Sequence, residues 1–399
     1  MTTFAQPLLP GMVGEPSVPV TVAQIEVSGP QDLRAKPPTK ATAIVYCEAN
    51  FGLIDGKTAN GLVRHSEAYE ILSVIDSLKA GQNSGEALGD APNAIPIFQN
   101  LDEALAHAGK LPAFFIYGMA PSTGMLSPNE RKLILRAMGL GMNIVNGLHE
   151  YLNDDAEFIS AAALYGVTMR DVRRPRAKKD LRMFSGRIAD VRCPVIAVLG
   201  TDCAIGKRTT ATILTRELCE SGIKAVMIGT GQTGLIQGAR YGIPLDAVPS
   251  QFCAGELEAT IIEAYEAERP DIIIVEGQGA LSHPAFSTSA FILRGSAPQG
   301  VILQHAPART QRCDFENMAM PTPVSEINLI QTFSDTRVIG MTINHENMED
   351  ADVDTAITTF EGELGIPVTD ALSRPEARLV DMIVSAFPEL ARPASARIQ

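Results

Sequence analysis

The sequence predicts an α/β protein built from two successive parallel sheets. From Ala41 onward, short apolar runs alternate with stretches of helical periodicity. The alternation pauses at a basic stretch, Arg173 to Arg182 (RRPRAKKDLR), and then resumes. At 399 residues, 45% of them hydrophobic, the chain is long enough for two packed domains and too long for one typical core.

Residues 1–40, rich in Pro, Thr and Val, read as an extended arm. The first domain, 41–172, opens with a strand at Ala43–Cys47 and a helix from Lys57 to Val63. Strands follow at Ile71–Ile75 and Ile95–Phe98, then a helix at Leu101–Ala108 and a strand at Ala113–Tyr117. Pro128 suits the first turn of a helix that runs to about Gly139, before a strand at Asn143–Asn146. Strands alternating with helices imply a parallel sheet covered on both faces. Residues 173–190 read as a basic linker, solvated or lending arginines to an anionic ligand at the domain boundary. The second domain, 191–387, begins with the apolar strand Val195–Leu199 and a helix at Thr209–Glu220. Further strands read at Ala225–Ile228, Ile272–Val275, Gly300–Gln304 and Val338–Ile343, with helices at Glu256–Ala267 and Val353–Leu364. Residues 388–399 read as a tail.

A net charge of −13 argues against a nucleic-acid backbone or an anionic membrane as the main partner. No run approaches the roughly 20 apolar residues that span a bilayer, and the N-terminus lacks a signal-peptide layout. A cytoplasmic chain is expected. No two of its cysteines lie in a CxxC pair, so zinc and thioredoxin-like chemistry have no support from spacing. Cys203 differs from the others in lying inside a glycine-bounded loop.

That loop is Gly200-Thr201-Asp202-Cys203-Ala204-Ile205-Gly206-Lys207-Arg208-Thr209-Thr210, between an apolar strand and a helix. This is the context of a phosphate-binding P-loop. Backbone N–H groups and the helix N-terminus surround phosphate oxygens there, and Lys207 adds a point charge. Arg208 stands where a magnesium-binding Ser or Thr is usual; Thr209 is the substitute if MgATP is used. Glu276, at the end of the apolar run Ile272–Val275, is placed to face the phosphates or hold magnesium, and His283 follows in the same loop.

Other candidates sit after predicted strands, where open α/β sheets bind ligands. Gln232 and Thr233 lie in Gly229–Gly234, read as flexible polar backbone, and Arg240 lies close by. His305 is a candidate base, and Arg309 could grip a carboxylate in a bidentate manner. Residues 50–57, 118–124 and 147–150, the last with His149, are expected to form a second pocket facing the P-loop.

The GTDCAIGKRTT loop, one residue longer than the usual spacing, and the VEGQG segment resemble those of dethiobiotin synthetase. In relatives of that enzyme an Asn at the place of Asn344 contacts adenine, which implies the same role here. GTGQTG and VEGQGAL, with KTANGL, GLHEYLNDD and DVRRP upstream, resemble a bacterial and archaeal family known as a domain of unknown function. The resemblance spans roughly residues 41–385 and implies a Rossmann-like N-terminal domain and a P-loop NTPase-like C-terminal domain. One branch of that family is D-glutamate N-acetyltransferase, which uses acetyl-CoA. Where that branch carries a tryptophan after the KTA helix, this chain reads Val63-Arg64-His65-Ser66 and has no tryptophan.

Three readings follow. The first is an acyl-CoA-dependent N-acyltransferase acting on a small amino acid, with Glu276, His283 or His305 as base. The second is ATP- and magnesium-dependent activation of a small carboxylate, with Thr209 and Glu276 on the metal. The third is a nucleotide-sensing protein. A homo-oligomer is expected in each case.

Overall fold

The computed structural model describes residues 40–391, apart from Ser122 and Asp314. The expected arm, up to residue 39, lies outside the described residues, as do 392–399. Both sheets belong to one compact unit.

The first sheet is built by β1 (Ala41–Tyr46), α1 (Lys57–Arg64), β2 (Tyr69–Ile75), β3 (Ile97–Phe98), α2 (Leu101–Ala108), β4 (Phe114–Tyr117), α3 (Pro128–Gly139), β5 (Asn143–Asn146), α4 (Ala156–Tyr165) and β6 (Met169–Asp171). The strand order is β3-β2-β1-β4-β5-β6, and every pairing is parallel. Local chemistry sets the helix starts. Pro128 occupies the first turn of α3, and Ser127 and Glu130 close a reciprocal capping box over it. Asp155 caps α4 by accepting from the amides of Glu157 and Phe158.

The second sheet comprises β7 (Val195–Gly200), α5 (Lys207–Glu220), β8 (Ala225–Gly229), α6 (Gln232–Gln237), β9 (Tyr241–Gly242), α7 (Ser250–Glu268), β10 (Ile272–Glu276), α8 (Thr288–Ser296) and β11 (Gly300–His305). A two-stranded hairpin, β12 (Gln311–Arg312) with β13 (Phe315–Ala319), intervenes. Then come α9 (Pro323–Phe333), β14 (Arg337–Ile343), α10 (Asp350–Leu364), β15 (Val368–Asp370) and α11 (Ala377–Ala386). This sheet is also parallel, in the order β15-β14-β11-β7-β10-β8-β9. Side chains alternate along β7. Val195, Ala197 and Leu199 enter one core, while Ile196 and Val198 enter the core on the opposite face.

Three expectations change. Gly229–Gly234 is not loose backbone throughout, because α6 begins at Gln232 and every residue in it is buried. A helix buried all round has no polar face to announce it in sequence. Its Leu235 and Ile236 pack in the core of the first domain, so α6 ties the two sheets together. The basic linker is a docked strap. Arg182 binds Glu256 of α7 with its backbone N–H at 2.6 Å and with its guanidinium, and Ser185 binds Glu258 with its N–H at 2.6 Å and its hydroxyl at 2.9 Å. Finally, Pro388–Ala391 is a packed turn with Leu390 buried, so folded chain continues past residue 387.

Candidate functional site: a phosphate loop clamped between two domains

The loop from Gly200 to Lys207 joins β7 to α5 at the carboxyl end of the second sheet. Ala204 and Gly206 adopt positive φ, 50° and 102°, the left-handed backbone from which anion-binding nests of successive N–H groups are built. Among the described residues, the amides of Ala204, Ile205 and Gly206 donate to no protein acceptor. The first turn of α5 adds amides that have no partner within the helix. Ile205 is buried and fixes the loop from below. Such a concave row of donors fits a phosphate.

Lys207 is buried, and its ammonium turns back to the carbonyl of Asp202. Burial pushes its pKa down to about 8, with the Cys203 thiol and Asp202 opposing. Asp202 is fully buried. Its Oδ2 accepts from Arg309 Nη1 at 3.1 Å and from the Cys313 amide at 2.7 Å. Its Oδ1 has no hydrogen-bond partner among the described residues and lies 3.7 Å from His283 Nε2. Arg309 also donates to the Cys203 carbonyl at 2.9 Å and to Glu346 at 2.8 Å. It therefore clamps the loop from the side.

Arg208 leaves the loop altogether. Its guanidinium donates to Gln237 Oε1 and lies against Gly61 of α1. A Cβ at Gly61 would sit 2.6 Å from Arg208 Nη1, so glycine is what admits the arginine. Gln237 donates in turn to the carbonyls of Gly61 and His65, each at 2.7 Å. Glu276, at the end of β10, faces the same arginine. Burial raises its pKa, while Arg208, the Thr230 and Gly231 amides and Lys207 act the other way. Those amides lie at 2.9 and 3.4 Å from Glu276 Oε2. Thr209 is half-buried on the first turn of α5. Thr210 donates to Gln304 Oε1 at 2.6 Å, and Thr342 donates to the same oxygen.

The remaining candidates divide. His305 joins the loop, with Nδ1 2.9 Å from Thr201 Oγ1 and its ring edge-on to Phe360. Burial lowers its pKa to about 4. The His283 ring stacks on Phe286 with centroids 4.7 Å apart. His283, Asp202 and Cys203 bring their polar atoms within 4.8 Å of one another. Asn344 accepts from Glu346 N at 3.0 Å and donates through its own amide to the His305 carbonyl at 2.7 Å, beside the loop. Thr233 meets Thr58 of the first domain, hydroxyl to hydroxyl, at 2.9 Å. Gln232 is buried against Gly147. Two candidates stand apart. Arg240 pairs with Glu268, and His149 sits 3.9 Å from Asp246 with its pKa lowered by burial and by Arg173. Gln304, Gln237 and Gly61 are functional supports that the sequence does not single out, although Gly61 falls within the KTANGL segment.

Residues 182–380 match the family described as a domain of unknown function, the DUF1611 C-terminal P-loop domain. Residues 77–175 match its N-terminal Rossmann-like domain. The chain is 30% identical over 293 residues to a protein named D-glutamate N-acetyltransferase from Tritonibacter scottomollicae, covering 71% of this chain and 84% of the relative. A protein of the same name from a Pseudoalteromonas species is 30% identical over 277 residues, 67% of this chain and 81% of that one. The crystal structure of a DUF1611 family protein from Anabaena variabilis superposes with a TM-score of 0.80 at 28% identity, covering 87% of this chain and all of that one. Among the described residues no helix is long and apolar enough to cross a membrane.

Proposed function

The chain belongs to the DUF1611 family, and we propose that it is an acyl-CoA-dependent N-acyltransferase acting on a small amino acid. The P-loop fold and two relatives named as N-acetyltransferases support an enzyme of the transferase class.

The observation that carries this reading is the engagement of Arg208. In a magnesium-dependent P-loop the residue after the lysine supplies a hydroxyl to the metal, and an acid at a neighbouring strand end assists. Here that residue is an arginine turned onto Gln237. The acid, Glu276, is taken up by two backbone amides beside the same arginine. What is left is a row of amide donors with Lys207, which suits an anion bound without a metal.

A bound acyl-CoA supplies an activated thioester. The residues of the chain do the rest. The amides of Ala204 to Gly206 and Lys207 hold phosphate oxygens. Lys207 gains an anionic partner in place of the Asp202 carbonyl, and Arg309 keeps the loop in shape. As the acceptor amine attacks, the new C–N bond forms, the thioester C–S bond breaks, and the amine's proton passes by way of a base to the departing coenzyme A thiolate.

Incubation with acetyl-CoA, EDTA and a panel of amino acids tests this. We expect release of coenzyme A thiol with an acceptor from the panel, and no ADP from MgATP. Robust ADP formation with no thiol release would sink the reading in favour of ATP-dependent activation.

A further inference from the structure

If the P-loop holds the cofactor's phosphates, the thioester cannot be at the loop. The pantetheine arm between them is equivalent to about four residues of extended chain, roughly 14 Å. Glu276, His283 and His305 all lie within the loop's own network of contacts. The reacting centre belongs elsewhere, at about an arm's length.

The first domain has an open cleft of about 660 Å³ outside the loop's network of contacts. It lies at the carboxyl ends of β1 and β4, where the connections depart to opposite sides of the sheet. Ligands of open α/β sheets bind at this switch point. The ruler to the P-loop runs through α1. Asp55 of the cleft stands just ahead of α1, and from Lys57, where that helix starts, to Gly61 is four positions, roughly 6 Å at the helical rise. Gly61 touches the guanidinium of Arg208, whose side chain spans roughly 7 Å more back to the loop.

The lining has one sign of charge. Glu48, Asp55 and Glu130 contribute carboxylates, and none of the lining residues is Lys, Arg or His. Tyr46 and Tyr117 end the paired strands, and their rings form one wall with centroids 5.8 Å apart. Tyr117 donates to Glu130 at 2.6 Å. Tyr46 is 8% exposed, lines the cleft, and its hydroxyl has no hydrogen-bond partner among the described residues. Burial, then Glu130 and Glu48, raise its pKa, so it stays a neutral phenol. Met119, Met125 and Leu126 give the cleft an apolar side.

We propose that this cleft binds the acceptor through an ammonium group on a short apolar chain, making a diamine or a basic amino acid the preferred substrate class. Carboxylates and tyrosine faces both attract an ammonium. Among the described lining residues a dicarboxylate finds no cation to neutralise it. The identification of the ligand as the acceptor rests on the acyl-transfer reading; the ammonium site itself does not.

Calorimetry on the full chain, without cofactor, tests the site with 1,4-diaminobutane as probe and butane-1,4-diol and D-glutamate as comparisons. We expect the diamine alone to bind, with affinity reduced at least tenfold by Asp55→Asn and severalfold by Tyr46→Phe. Circular dichroism verifies that both variants fold. Equal binding of the diol or of D-glutamate would overturn the proposal, as would diamine binding unaffected by Asp55→Asn or absent altogether. Diamine binding with no acetyl transfer from acetyl-CoA would leave the site standing and overturn the acyl-transfer reading instead.

Discussion

Arg208, in the P-loop of the second domain, donates its guanidinium to Gln237 Oε1, and Gln237 donates to the carbonyls of Gly61 and His65 in the first domain. The residue that leaves no hydroxyl for a metal at the loop is thus the residue that fastens the loop to the other domain. Gln237 is buried, so truncating it strands the arginine and the His65 carbonyl together, while the Gly61 carbonyl keeps the His65 amide as a donor at 2.9 Å. We expect Gln237→Ala to lower the unfolding free energy by about 2–4 kcal/mol. Urea denaturation measures this. A loss below about 0.5 kcal/mol would mean that the contact contributes little to the fold.

Gly255 offers a test of the docked strap. A Cβ there would lie 2.3 Å from Met183 C and Phe184 N, and those are backbone atoms that cannot rotate away. Gly255→Ala should cost about 2–3 kcal/mol by overpacking. Gly362, within α10, meets nothing within 4 Å. Gly362→Ala should therefore stabilise by about 0.5–1 kcal/mol, since alanine loses less backbone freedom in a helix. Paired thermal melts of the two variants decide whether the strap is held as described.

His305 carries a pH signature. Burial lowers its folded-state pKa to about 4 from the ordinary 6.5. Between those values the unfolded chain binds more protons, so stability rises with pH across this window and is lost as pH falls through it. The full loss below about pH 4 is on the order of 3 kcal/mol. Replacing the ring by His305→Asn, which can still meet Thr201, should flatten the stability profile between about pH 6.5 and 4. A profile with unchanged slope in that window would assign the acid sensitivity to other groups.

The repeated strand–helix rhythm made both parallel sheets legible, and strands such as Asn143–Asn146 were read to the residue. Buried parallel strands announce themselves as continuous apolar runs. Helix α6 did not, because Gln232, Thr233 and Gly234 are polar or small residues buried by tertiary contacts. Helix α7 starts six residues earlier than its apolar periodicity suggested, at Ser250 rather than Glu256. Its first turns carry Cys253 and Gly255, which pack closely without a large apolar side chain.

At the site, the P-loop was legible because its spacing is local. Its supports were not. Gln304 binds Thr210 and Thr342, and Arg309 reaches back to Asp202 and Cys203 across more than a hundred residues of chain. Such contacts depend on the adjacency of β7 and β11 in the sheet, which no single segment encodes. The direction of Arg208 was equally hidden, because Gly61 opens the space for it from another domain.

The buried ammonium of Lys207 sets a pH limit on anion binding. Its pKa of about 8 in the absence of ligand means that the charge is present below that pH and lost above it. Affinity for a phosphate-bearing cofactor should be flat below about pH 8 and should weaken as pH rises beyond it. Titrations at several pH values measure the trend, and affinity that holds constant to pH 10 would exclude Lys207 as the anion's partner.

We propose that this loop binds the phosphates of an acyl-CoA without a metal. Calorimetric titration of coenzyme A into the protein, with and without EDTA, tests it most directly when run beside Lys207→Ala and MgATP. We expect coenzyme A binding that EDTA leaves unchanged and that Lys207→Ala weakens by tenfold or more. Binding of ATP that requires magnesium, with none of coenzyme A, would contradict it.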